Sequence, residues 1–269
     1  MPIVHKKSFK KTLIGDEIQT LSGERFLHIS RLALSEFLGT AVLLGLGCMG
    51  CANTTGKGLV HMEVVFSFAF AVATAVMIFG HVSGAHINPA LSLVALVMGK
   101  ISIQLWVVYA IAQCAGAVFG YSITRSLFPA VYLSDDFCVT LPNPRVELSQ
   151  AFTAEFILTA IIALVLCAAY DQRCLDKHDS LPIKFGFAVV ALAVPGAQFA
   201  GCSVNPARSF GPALITGVWD NHWIYWVAPL SGAFVGSVLY RSAFYDNPDK
   251  HQTSYDTTET VKLQSRDEA

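Results

Sequence analysis

The sequence predicts an all-α membrane protein, with six transmembrane helices plus two re-entrant half-helices arranged as an inverted repeat. Three observations carry this expectation. The 269 residues are 54% hydrophobic and 14% charged, with mean hydropathy +0.52, whereas a soluble domain carries about 25% charged residues. Six apolar stretches approach the roughly 20 residues that cross a hydrocarbon core. Two segments, Ser83–Ser92 and Gly201–Gly211, each place Asn-Pro-Ala after a glycine-containing approach, 117 positions apart.

In chain order the spans are about Leu32–Cys51, Met62–His81, Ile103–Leu127, Leu148–Tyr170, Ile183–Phe199 and Trp223–Phe244. Two further apolar pieces, Pro89–Gly99 and Pro206–Gly217, are too short to span, since ten or so helical residues cover only about 15 Å. Asn before each piece suits an N-cap, and Pro suits the first helical turn, where its missing N–H is not needed. Neither piece has the charged face of an interfacial helix. Irregular backbone sits at membrane depth only where protein or a water-filled cavity surrounds it. The two pieces therefore read as halves of a seventh, broken span.

The halves of the chain repeat. Glu36, in Ser35-Glu36-Phe37-Leu38-Gly39-Thr40, and Glu155, in Ala154-Glu155-Phe156-Ile157-Leu158-Thr159, lie 119 positions apart. Three spans per half make the repeats enter from opposite faces. A buried carboxylate is costly unless neutral or hydrogen-bonded, so bracing the nearby re-entrant loop is the expected task of each Glu. A proton relay is the rival.

Composition narrows the partners. A net charge of −1 implies no nucleic-acid partner. Seven cysteines, mostly within apolar runs, suggest packed thiols rather than a disulfide framework. The start carries Lys6, Lys7, Lys10 and Lys11 without a following signal-peptide pattern, and Asp16, Glu17 and Glu24 argue against a mitochondrial presequence. Basic residues concentrate on the side that holds both termini, which makes that side cytoplasmic. The glycosylation acceptor Asn53-Thr54-Thr55 then faces outward.

Two Asn side chains at the centre of such a bundle offer N–H donors to a neutral solute with a lone pair. Converging half-helix N-termini add positive potential. Cations, hydronium included, are repelled, and water oxygens turn toward the donors, which breaks a proton-conducting chain. Acceptors come from the carbonyls of Gly84, Ala85, His86, Ile87, Gly201, Cys202, Ser203 and Val204. No metal or other cofactor is implied: His81 and His86 flank a loop without a carboxylate or thiol partner. No nucleophile–base set suggests an enzyme. A secondary transporter shares inverted repeats and broken helices but needs membrane-embedded acids facing the substrate, and here both acids lie at span starts.

With these residues in view, the chain resembles an aquaporin of the major intrinsic protein family, from about Arg31 to Phe244. The pore centre carried over is Asn88, Pro89, Ala90, Asn205, Pro206 and Ala207. The resemblance implies an aquaporin-like bundle, a homotetramer in the lipid bilayer with one pore per subunit, and a cell-membrane location. It divides the chain into a cytoplasmic tail over residues 1–30, a channel domain over 31–244 with repeats about 31–127 and 148–244, and a cytoplasmic tail over 245–269. It also implies a selectivity filter of Phe68, Ala193, Cys202 and Arg208. Strict water channels of the family carry His where this chain has Ala193. Losing an imidazole frees tens of cubic ångströms, on the scale of one water's share of about 30 Å³. Ser209, Ala213, Tyr225-Trp226 and the short Gly217–Trp223 connection instead resemble water channels. The combination is similar to insect glycerol-transporting members of the family. It implies passive passage of water, glycerol and urea without protons or ions. The alternatives are a strictly water-selective aquaporin, if a neighbouring side chain refills the gap, and a junction protein of the lens type.

Overall fold

Helices account for most of the chain that a computed structural model describes, which is residues 23–52, 54 and 61–245 with the side chains of 175–178 excepted. They are α1 (Gly23–Met49), α2 (His61–Ser83), α3 (Pro89–Val97), α4 (Ile103–Leu127), α5 (Leu148–Tyr170), α6 (Leu181–Ala200), α7 (Pro206–Thr216) and α8 (Ile224–Ala243). The lysines of the N-terminal tail, Asn53 and the tail from Asp246 onward lie outside the described residues.

Each half uses the same plan. In the first, α1 packs on α2 and α4; in the second, α5 packs on α6 and α8. The half-helices are exchanged between the halves: α3 rests on α8 as well as α4, and α7 rests on α4. Close approach requires glycine at the α1–α4 crossing. A Cβ on Gly116 would fall 2.1 Å from Phe37 O, and one on Gly120 would fall 2.2 Å from Ala41 O. Gly232 stands in the same relation to Phe156 O, at 2.3 Å, across the α5–α8 crossing. Large apolar side chains face outward instead, Phe70 at 63%, Ile111 at 66% and Phe187 at 70% exposure. A surface of that kind suits lipid, where small residues rather than large ones mediate helix contact.

Among the described residues, five helices are long and apolar enough to cross a membrane: α1, α2, α4, α5 and α6. α8 has the length, but Tyr225, Trp226, Pro229 and Arg241 dilute its hydropathy. α1 begins at Gly23 rather than near Leu32, because helical backbone continues past the apolar stretch that marks the hydrocarbon core.

One cysteine expectation is corrected. Cys48 and Cys138 are joined by a disulfide. The segment between α4 and α5 folds back over the end of α1 and brings their Cα atoms within 5.5 Å, although they are 90 positions apart. Cys51, Cys114, Cys167, Cys174 and Cys202 are free thiols.

At the opposite end of the bundle a polar clip joins α5 to α8. Asp171 caps α5 and accepts hydrogen bonds from Arg173 Nε (2.8 Å), Arg173 Nη2 (2.6 Å) and the Tyr240 hydroxyl (3.2 Å). Arg173 Nη2 also donates to Phe244 O. The Arg173 side chain holds the Asp171 carboxyl at about 2, below its ordinary 3.8, despite burial that opposes the charge. A depressed folded-state value stabilises the fold above the unfolded value, and the contribution is lost as pH falls through about 2. Asp171→Asn should therefore lower the melting temperature in detergent at pH 6, with the difference from wild type vanishing toward pH 2. Equal melting at pH 6 would remove the clip from the stabilising contacts.

Candidate functional site

The two Asn-Pro-Ala segments adopt one backbone shape twice. Gly84 has φ +90°, followed by Ala85 at +44° and Ile87 at +47°; Gly201 has φ +80°, followed by Cys202 at +50° and Val204 at +46°. Left-handed backbone is rare for non-glycine residues and an outlier for β-branched ones, at about 1–3 kcal/mol each. Two buried carboxylates hold it. Glu36 Oε1 accepts His86 N at 3.0 Å, and Oε2 accepts Ile87 N at 2.7 Å. Glu155 accepts Ser203 N at 2.7 Å and Val204 N at 2.8 Å. Drawing the N–H edges toward the carboxylates turns the carbonyl edges of the same peptides away from them.

After the strained residues both segments become extended at an asparagine, and a helix starts. Asn88 Oδ1 accepts Ala90 N at 2.8 Å; Asn205 Oδ1 accepts Ala207 N at 3.0 Å and Arg208 N at 3.3 Å. Each carboxamide also reaches the opposite loop. Asn88 Nδ2 donates to Val204 O and Asn205 Nδ2 donates to Ile87 O, both at 2.8 Å. An amide nitrogen carries two hydrogens, so each Asn keeps a second donor. Pro89, Ala90, Pro206 and Ala207 are buried at the meeting point.

These loops line a cavity of about 660 Å³ that extends from His61, at the start of α2, to Tyr170, the last residue of α5, and Asp179 beyond it. Gly84, Ala85, His86, Ile87, Gly201, Cys202, Ser203 and Val204 all contribute, as do Asn88 and Asn205. The remaining wall is mostly apolar, with Val72, Ile162, Leu166 and Leu192. Asn88 and Asn205, the N-caps of α3 and α7, line this cavity, so the N-terminal end of each helix dipole, equivalent to about half a positive charge, lies beside it.

Phe68, Ala193, Cys202 and Arg208 line the same cavity. Arg208 is buried at 8% exposure, its Nη1 donates to Cys138 O at 2.8 Å, and its guanidinium carbon lies 4.3 Å from the Phe68 ring centroid. Cation–π attraction and one carbonyl offset part of the cost of burying the charge; its other N–H donors have the lumen.

A family model described as Major intrinsic protein matches residues 24–240. The chain belongs to the major intrinsic protein family. This aquaporin-family protein is 36% identical to aquaporin-2 of Bos taurus over 221 residues, covering 82% of this chain and 81% of that one. It is 36% identical to the lens fiber major intrinsic protein of Homo sapiens over 211 residues, covering 78% and 80%. Its fold is similar to the X-ray structure of the aquaglyceroporin from Plasmodium falciparum, with a TM-score of 0.75 and 27% identity over 80% of this chain and 96% of that one. As a family member, this major intrinsic protein is a passive multi-pass membrane channel and not an enzyme.

His86 braces its loop, as its place in the sequence suggests, but sequence reading passed over its partners and several other bracing residues of the aquaporin site. Gln113 Nε2 donates to Glu36 Oε2 and to Ser92 Oγ; His86 pairs with Ser92 Oγ and, at 2.8 Å, with the Tyr170 hydroxyl. In the second half, Ser209 Oγ lies 2.6 Å from both Ser203 Oγ and Thr140 Oγ1. The one sequence signal was the serine four residues after each asparagine, Ser92 and Ser209. Gln113, Thr140 and Tyr170 have no motif.

Proposed function

We propose that this channel conducts water and small neutral solutes, glycerol and urea among them, and excludes protons and ions. The observation that carries the solute range is Ala193, a methyl group lining the cavity with Phe68 and Arg208. Such a filter has an apolar face for CH₂ groups and a donor face for hydroxyl oxygens, which is the surface pattern of glycerol. Proton and cation exclusion is assigned to Arg208 together with the half-helix N-termini and the paired Asn donors. The family supports a homotetramer at the cell membrane with cytoplasmic termini, and the distribution of basic residues supports that orientation.

One contact favours the water-selective alternative. His61 Nε2 lies 3.4 Å from Val194 O, beside Ala193, and His61 also lines the cavity. On that alternative the imidazole narrows the lumen beside Ala193.

Ala193→His decides between them. Glycerol uptake, normalised to osmotic water permeability and surface amount, should fall about tenfold or more, because a solute hydroxyl stripped of a partner costs roughly 1–3 kcal/mol and about 1.4 kcal/mol is a factor of ten. Water flux should change little. Background glycerol uptake by the wild type, restored by His61→Ala, would make the channel water-selective through His61.

A further inference from the structure

Both walls of the filter lean on one turn at the end of α1. Cys48 is fully buried, and its disulfide partner Cys138 lies in the segment between α4 and α5. Cys138 is itself a non-glycine residue in the left-handed region, at φ +61°, a conformation that needs an external restraint to persist. Its carbonyl is the acceptor for Arg208 Nη1. The preceding residue supports the other wall: a Cβ on Gly47 would fall 2.4 Å from Phe68 Cε1, so the ring sits where only glycine leaves room. Phe68 in turn lies under the Arg208 guanidinium. Gly47, Cys48 and Cys138 are not among the residues lining the cavity. They act on the lumen through Phe68 and Arg208.

We propose that the Cys48–Cys138 disulfide is a positioning element of the filter, fixing the Cys138 carbonyl and through it Arg208, so that solute discrimination depends on redox state. This rests on the reading of Phe68, Ala193, Cys202 and Arg208 as the filter. The segment has anchors on either side of Cys138. Tyr121 donates to Phe137 O at 2.9 Å, and Thr140 Oγ1 pairs with Ser209 Oγ. Cutting the disulfide therefore frees the carbonyl between two points that stay attached, and the channel remains folded. The chemistry is thiol–disulfide exchange with an external dithiol. The dithiol supplies two electrons and two protons, the sulfur–sulfur bond breaks to two thiols, and the dithiol closes to its own disulfide. Arg208 then scatters about its position, and the aperture it bounds widens.

The test uses the full chain in proteoliposomes. Prolonged dithiothreitol treatment should raise the ratio of glycerol to water permeability at least threefold, with mass analysis of the 48–138 linkage confirming reduction. Water permeability should stay within twofold, and reoxidation should restore the ratio. Cys48→Ser/Cys138→Ser should show the raised ratio without reductant and no further response to it, which excludes the five free thiols as the target. An unchanged ratio after verified reduction overturns the proposal, as does finding both cysteines as thiols in protein purified without reductant. Arg208→Val separates the two readings. If it changes discrimination while reduction does not, only the disulfide's role fails; if it changes nothing, the filter assignment fails first.

Discussion

Glu36→Ala should yield little or no conducting channel. Glu36 is fully buried and gathers four donors: Ser83 Oγ at 2.6 Å, His86 N at 3.0 Å, Ile87 N at 2.7 Å and Gln113 Nε2 at 2.8 Å. Alanine removes the acceptor of Ser83 Oγ, His86 N and Ile87 N in a protein interior, at roughly 1–3 kcal/mol for each buried unsatisfied group, and leaves Gln113 Nε2 with Ser92 Oγ alone. It also releases Ala85 and Ile87 from the contacts that hold them at positive φ, where each costs about 1–3 kcal/mol. The sum rivals a net folding stability of about 5–15 kcal/mol. Glu36→Gln keeps one oxygen acceptor but presents an amide donor to another donor, so it should fall between alanine and wild type. Glu155 accepts two backbone donors, Ser203 N and Val204 N. Glu155→Ala should therefore be the milder lesion. Osmotic water permeability per surface-delivered molecule, read beside monodispersity in detergent, orders the four proteins. A Glu36→Ala channel that conducts and elutes like wild type would end the bracing role.

Arg208→Val should raise proton leakage at least fivefold while water permeability stays within about twofold. A unit charge about 4 Å from a permeating cation contributes about 1 kcal/mol of repulsion in water and about 4 kcal/mol at an effective dielectric of 20. A hydrated lumen with protein walls lies between those limits. The lower figure already corresponds to roughly a fivefold change in rate. Exclusion should not vanish, because the N-termini of α3 and α7 each retain about half a positive charge and the Asn88 and Asn205 donors are untouched. Valine also removes the cation over the Phe68 ring and the donor to Cys138 O, whose lone pairs lumen water can satisfy. A pH-sensitive dye inside proteoliposomes reads the leak under an imposed potential, and light scattering reads water. Unchanged proton leakage would show that the dipoles and asparagines suffice, and it would strip Arg208 of its assigned role while leaving the channel reading intact.

Much of the architecture is local and was legible in the chain. Ile103–Leu127 and Leu148–Tyr170 are α4 and α5 to the residue, because each apolar run of membrane length ends at a chemical boundary. Ser102 caps the first, and Glu147 with Gln150 boxes the second. The half-helices start where Asn-Pro dictates, since that pair caps and preorganises a first turn wherever it stands. Hydropathy was a poorer guide to α1, whose helix runs on outside the apolar stretch, and to α8, whose aromatic and proline residues mask a span-length helix.

Tertiary structure decided the pairings. That Asn88 bonds Val204 O while Asn205 bonds Ile87 O follows from two loops meeting at sequence separations of 116 and 118, which no periodicity encodes. Glu36 was visible as half of a repeated pair, but its two extra donors come from Ser83 and from Gln113 on α4, and only packing brings these together. The cysteine composition pointed to thiols, yet a disulfide forms where the segment after α4 folds back onto α1. Helix length, capping and the inverted repeat arise from interactions a few residues long, so one sequence suffices to read them. Which buried donor meets which acceptor is set by close approach of distant backbones, at crossings such as Gly116 against Phe37 O, and exists only once the bundle has closed.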